Sequence, residues 1–154
     1  MFVRTMRCVL RTPALLVLLS LSALGLAGCS SSDSPTTTSP TTTPALATET
    51  FNGSIGQNEA HDDTFTVTSS GYSLLAGFTS ISPASVTALG LGIGNWDPAT
   101  STCSLNVSQN DTARSGSTGL SGTANSGSYC LRVYDGGNVA GGVVASYTVQ
   151  VQHY

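Results

Sequence analysis

Two histidines, His61 and His153, are the side chains of this 154-residue chain suited to proton exchange near neutral pH. His61 stands in Asn-Glu-Ala-His-Asp-Asp-Thr, residues 58–64, directly ahead of Asp62 and Asp63. That grouping could serve acid–base catalysis or hold a cation. Catalysis also needs a nucleophile and an orienting group on the same side, whereas adjacent residues of an extended segment point to opposite faces. No Gly-x-Ser-x-Gly elbow or comparable motif completes a triad. The sequence therefore reads His61 as part of a solvated turn, His153 as a solvated end, and the protein as non-enzymatic with no cofactor. Hard oxygen ligands are more numerous. Glu59, Asp62, Asp63, Asp111, Asp135 and Asn138 fall on expected turns, with Asp62, Asp63 and Asp135 the candidates for calcium. None follows a calcium-loop spacing, and Asp135-Gly136-Gly137-Asn138 answers equally to a tight reversal. The lone tryptophan, Trp96, lies between Asn95 and Asp97 in an expected loop. It either folds back as a plug, covering Gly90 and Gly92, or stays exposed to stack on a sugar or anchor a protein partner.

The N-terminal residues bear on where such a domain works. Arg4, Arg7 and Arg11 precede an apolar run over residues 13–26, followed by small residues, which is the three-part layout of an export signal. The run is about 14 residues long, short of the roughly 20 that span a bilayer. At its end, Leu26-Ala27-Gly28-Cys29 resembles the lipobox of bacterial lipoproteins at all four positions. The resemblance implies that residues 1–28 are removed and that Cys29 becomes an acylated N-terminus. More than one hydrocarbon tail at about 0.8 kcal/mol per buried CH2 anchors a protein to a membrane without spanning it. Ser30, where an aspartate would favour inner-membrane retention, points by the same resemblance to the outer membrane. With Cys8 lost in the signal and Cys29 taken by lipid, Cys103 and Cys130 remain, and an oxidising envelope compartment favours their pairing.

Residues 29–47 are serine, threonine and proline with almost no apolar side chain, a composition that cannot offset its ordering entropy, so a disordered tether is expected. At roughly 3 Å per residue such a tether reaches about 50 Å. Residues 48–154 change character: short apolar alternations are separated by Gly, Asn, Asp and Ser, with no helical period. The pattern predicts an all-β, antiparallel β-sandwich of about eight strands, jelly-roll or immunoglobulin-like. Strands are expected over residues 49–54, 64–68, 72–79, 86–93, 103–107, 116–123, 128–134 and 145–152. In the last of them Tyr147, Val149 and Val151 form a core face, and Thr148, Gln150 and Gln152 a wet one. If Tyr129, Leu131 and Val133 are core, Cys130 faces outward and its bridge runs over the sheet surface. Leu89, Leu91 and Ile93 alternate with Gly90, Gly92 and Gly94, leaving one face bare for a close backbone approach or a covering group.

The length allows one core plus short appendages. Charged residues make up only 8% of the chain and lysine is absent. Beyond residue 28, Arg114 and Arg132 stand against eight acids, a formal net charge of −6. Such a surface repels phosphate backbones and excludes nucleic acid as a partner class.

The stretches Asp63-Thr64-Phe65-Thr66-Val67, Ser126 through Val133 and Tyr147-Thr148-Val149 resemble motifs of the bacterial pre-peptidase C-terminal (PPC) domain. That resemblance covers roughly residues 48–154. It implies a β-sandwich of the kind appended to secreted proteases, although no protease sequence accompanies it here. The combined expectation is a lipid-anchored envelope protein displaying a non-catalytic binding or structural module to a glycan or another envelope protein. The alternatives are a carbohydrate-binding domain using Trp96 and an accessory domain acting with a secreted protease.

Overall fold

The structure is a computed structural model that describes residues 42–154. The expected signal peptide, the acylation site Cys29 and most of the expected tether lie outside the described residues. Eight strands follow: β1 (Ala47–Ile55), β2 (Ala60–Val67), β3 (Tyr72–Ser82), β4 (Leu89–Asp97), β5 (Thr102–Ala113), β6 (Leu120–Ala124), β7 (Gly127–Tyr134) and β8 (Ala145–His153). They form two four-stranded antiparallel sheets, ordered β1-β8-β3-β6 and β2-β7-β4-β5. First pairs with last, second with seventh, third with sixth and fourth with fifth. This is a long hairpin rolled on itself, the jelly-roll arrangement, and it chooses between the two sandwich types that the pattern allowed.

Period-2 alternation builds the core. Leu74, Ala76 and Phe78 of β3 and Ala145, Tyr147, Val149 and Val151 of β8 face Leu89, Leu91 and Ile93 of β4 and Tyr129, Leu131 and Val133 of β7, all buried. Each Leu, Ile, Val or Phe among them contributes about 1.5–3 kcal/mol on burial. Phe65 packs against Tyr129 at 5.8 Å, His153 at 5.4 Å and Phe51 at 6.3 Å between ring centroids, closing the side where β1 and β2 lie.

The bare glycine face is covered, though not by Trp96. Register breaks between Ile93 and Asn95, whose partners on β5 are Ser108 and Ser104, so the intervening residues of β5 fold over the outer face of β4. A Cβ on Gly94 would lie 1.7 Å from the Ser104 carbonyl oxygen, and one on Gly92 2.8 Å from the tip of Leu105. The Tyr134 ring occupies the same role over Gly90. Trp96 itself belongs to β4, paired with Cys103, and is not in a loop. The Cys103–Cys130 disulfide ties the overlay down, with Cα atoms 5.7 Å apart. Cys130 shares the outer face with Gly94, its β4 partner, as the alternation of β7 required.

Other expectations shift. β2 begins at Ala60, so His61, Asp62 and Asp63 are strand residues; the turn is Gly56 to Glu59, where the Glu59 N–H donates to the Gly56 carbonyl. β4 starts at Leu89 because a turn, in which the Val86 N–H bonds the Pro83 carbonyl, occupies the residues before it. The strand expected from residue 116 starts at Leu120. Gly116, at a φ of 79°, turns the preceding loop back so that its N–H donates to the Phe78 carbonyl.

Candidate functional site

The calcium candidates do not converge. Asp62, on the outer face of the second sheet, accepts from Nε and Nη2 of Arg132 at 2.6 Å each, a bidentate pair that raises the arginine pKa. Asp63 is the next residue of β2 and faces the other way, with Oδ1 3.5 Å from Nε2 of His61. Asp135 spends both oxygens on backbone: Oδ1 accepts from Gly137 and Asn138 at 2.8 Å and from Val139 at 3.1 Å, and Oδ2 accepts from Asn58 at 3.0 Å. These bonds, that from Asn58 first, hold its pKa below the usual carboxylate value. Asp135 is a turn staple that joins the β1–β2 turn to the β7–β8 loop. Among the described residues no three metal-ligating side chains come together.

His153 is not a solvated end. It is 3% exposed, because β8 runs on to pair it with Ala47, and its Nε2 lies 2.8 Å from Oε1 of Glu49. Trp96 is partly exposed on the outer face of the second sheet, neither a plug over glycine nor a fully presented ring. It remains available for contact, one strand away from the disulfide's Cys130.

The first sheet supplies the cleft. Its outer face carries Thr48, Thr50 and Asn52 of β1, Thr148, Gln150 and Gln152 of β8, Leu75 and Gly77 of β3, and Ser121 and Thr123 of β6, and no charged side chain. The loop before β6 arches over β3 beside these residues. Gly116 N–H to Phe78 O and Gly119 N–H to Ala76 O, both 2.9 Å, hold its two ends, and Ser115 Oγ donates to Thr79 O at 2.9 Å. Asn110 Nδ2 fixes the far end through the Gly119 carbonyl at 3.0 Å. Gly77 permits this approach, since the Ser117 carbonyl oxygen would lie 2.6 Å from a Cβ there. Between loop and sheet is an open cleft of ≈ 430 Å³ lined by Leu75, Gly77, Phe78, Thr79, Ser117, Thr118, Gln150 and Gln152 among others.

That volume falls within the ordinary range of small-molecule sites, about 300–1,000 Å³. Each glutamine amide offers two donors and an acceptor, and the hydroxyls do both. Leu75 supplies apolar surface, while Phe78, whose side chain is buried in the core, contributes only backbone. The lining suits an uncharged ligand that mixes hydroxyl or amide groups with C–H faces. The sequence held part of the signal, the wet face of Gln150 and Gln152; the arching loop was read as strand, and the cleft with it was missed.

No family model matches the chain, and no curated protein matches it. Among solved structures it is similar to the crystal structure of Aeromonas hydrophila PliG, a periplasmic lysozyme inhibitor of g-type lysozyme, at 17% sequence identity and a TM-score of 0.44. That match covers 68% of this chain and 83% of the other.

Proposed function

We propose that this chain is a lipid-anchored protein of the bacterial envelope whose jelly roll is a non-catalytic binding module, with the cleft of the first sheet receiving a neutral, hydroxyl- or amide-rich ligand such as a glycan. The observation that carries the reading is the cleft itself. It is walled by Gln150, Gln152, Ser117 and Thr118 over Leu75 and Gly77, on a sheet face without a charge. Acylation at Cys29 and a tether ending ahead of Ala47, where β1 begins, would hold the domain away from the bilayer, with outer-membrane placement following from Ser30.

The test is a neutral-oligosaccharide panel followed by titration calorimetry. Gln150→Ala with Gln152→Ala removes two amides from the cleft wall and is expected to weaken binding at least about 10-fold, the loss of roughly one good hydrogen bond and its partner's satisfaction. Binding unaltered by that pair would overturn the cleft. The Trp96 version of carbohydrate binding has its own support in the partial exposure of that ring, and it gives a different signature. Trp96 lies on the other sheet, so a ligand in the cleft leaves its fluorescence unchanged, whereas a ligand stacked on it quenches that emission. Intact mass of the membrane-extracted protein, with Cys29→Ser as reference, reads acylation directly.

A further inference from the structure

A sandwich of two open sheets has four edge strands, and a row of unpaired backbone N–H and C=O groups on an edge invites another strand. Three of the four are guarded here. β2 carries His61, Asp62 and Asp63; β5 breaks register twice against β4; β6 is only five residues long. β1 has none of these devices. It runs nine residues in unbroken register against β8, from Ala47 to Ile55, with no proline, lysine or arginine. Its single charge, Glu49, is turned onto Nε2 of His153 in the neighbouring strand, away from the open side. Among the described residues no hydrogen bond outside the sheet reaches the backbone of residues 47–55.

We propose that β1 is an association edge whose occupant is β1 of a second copy of this chain, added antiparallel about a two-fold axis at Phe51, so that two first sheets join into one of eight strands. The sequence of β1 is self-complementary in that register. Glu49 falls opposite Gly53, Thr50 opposite Asn52, Thr48 opposite Ser54 and Ala47 opposite Ile55, and no like charges meet. Phe51, partly buried against the core, meets its own copy at the axis. Joining the sheets would also extend the uncharged Thr/Asn/Gln face across both copies.

The experiment is sedimentation velocity of the full chain in detergent, across a range of concentrations, with two variants at exposed positions of the outer face. Thr50→Lys with Asn52→Lys places like charges opposite each other at two symmetric positions. Thr50→Lys with Asn52→Glu places opposite charges there. Both variants lose the same Thr148 Oγ1 to Asn52 Oδ1 hydrogen bond, and circular dichroism checks that each keeps its sheet content. A dimer is expected for the native chain and the Lys/Glu variant, with the Lys/Lys variant weaker by on the order of 10-fold or more. A native chain that sediments as a monomer throughout, or a dimer that treats the two variants alike, overturns the proposal. Neither result depends on whether the cleft binds a glycan.

Discussion

Gly94 is the position at which the fold is least able to accept one added methyl group. A Cβ there would meet the Ser104 carbonyl oxygen at 1.7 Å, its carbon at 2.4 Å and the Leu105 Cα at 2.8 Å. The obstruction is main chain, which has no rotamer to change. To reach even 3.0 Å the overlay must lift by about 1.3 Å. Two restraints oppose that movement: the Cys103–Cys130 bridge, and the Asn95 N–H, which donates to Asn106 Oδ1 at 3.1 Å. Gly94→Ala therefore belongs at the upper end of overpacking costs, about 3 kcal/mol or more. Gly92→Ala meets only the flexible tip of Leu105 and should cost about 1 kcal/mol. Gly90→Ala meets the Tyr134 ring, pinned through its hydroxyl to Asp111, and should fall between the two. Urea unfolding reads the series. With an m-value of about 1.5 kcal/mol/M, Gly94→Ala lowers the midpoint by about 2 M. A cycle with Cys103→Ser and Cys130→Ser sharpens the test. Opening this 27-residue separation costs about 3.5 kcal/mol in the chain-entropy account, and with the overlay free to lift the Gly94→Ala penalty should shrink by at least about 1 kcal/mol. A Gly94→Ala variant within about 0.5 kcal/mol of the native protein, or a penalty unchanged by removing the bridge, would refute the reasoning.

Two further expectations concern pH. The folded-state pKa of Asp135 is lowered, so its contribution is present above the unfolded value of about 3.9 and is lost as pH falls through the lower folded value; Asp135→Ala should flatten the urea midpoint below about pH 4 and leave four backbone N–H groups without this acceptor. Tyr134 and Tyr147 are both pushed up to about 12, chiefly by burial and then by Asp111 or Asp63 respectively, so folding opposes their ionisation: stability is unaffected by them below about pH 10 and falls as pH rises toward 12. Spectrophotometric titration should show a late tyrosinate step that Tyr134→Phe and Tyr147→Phe each diminish. Among the described residues the buried Tyr147 hydroxyl has no hydrogen-bond partner, so Tyr147→Phe should cost nothing or stabilise by about 1 kcal/mol.

Much of the fold was legible because strand pattern is local. The alternation of Tyr147, Val149 and Val151 with Thr148, Gln150 and Gln152 fixed the inner and outer faces of β8 before any partner was known. The same parity placed Cys130 opposite to Leu131 and Val133, and so put its bridge on the outside of the sheet. Errors fell where a residue's environment comes from distant chain. His153 looked like a frayed end, yet pairing with Ala47, 106 positions earlier in sequence, buries it. His61 to Asp63 looked like a turn because polar composition resembles one, but β2 is an edge strand and tolerates it.

By itself the sequence determined the approximate strand number, which side chains alternate inward, the wet Thr148, Gln150 and Gln152 face of the last strand, and the identity of the two cysteines that bridge. Period and composition are properties of neighbouring residues, and they survive without a partner. Only tertiary structure decided that the hairpin rolls into 1-8-3-6 and 2-7-4-5, that a fold of β5 covers the glycine stripe in place of Trp96, that the loop before β6 makes a cleft over Gly77, and that β1 lies at a sheet edge. Each of these depends on contacts between segments far apart in the chain. A glycine leaves room for a close approach, but what arrives is set by the packing of the whole domain.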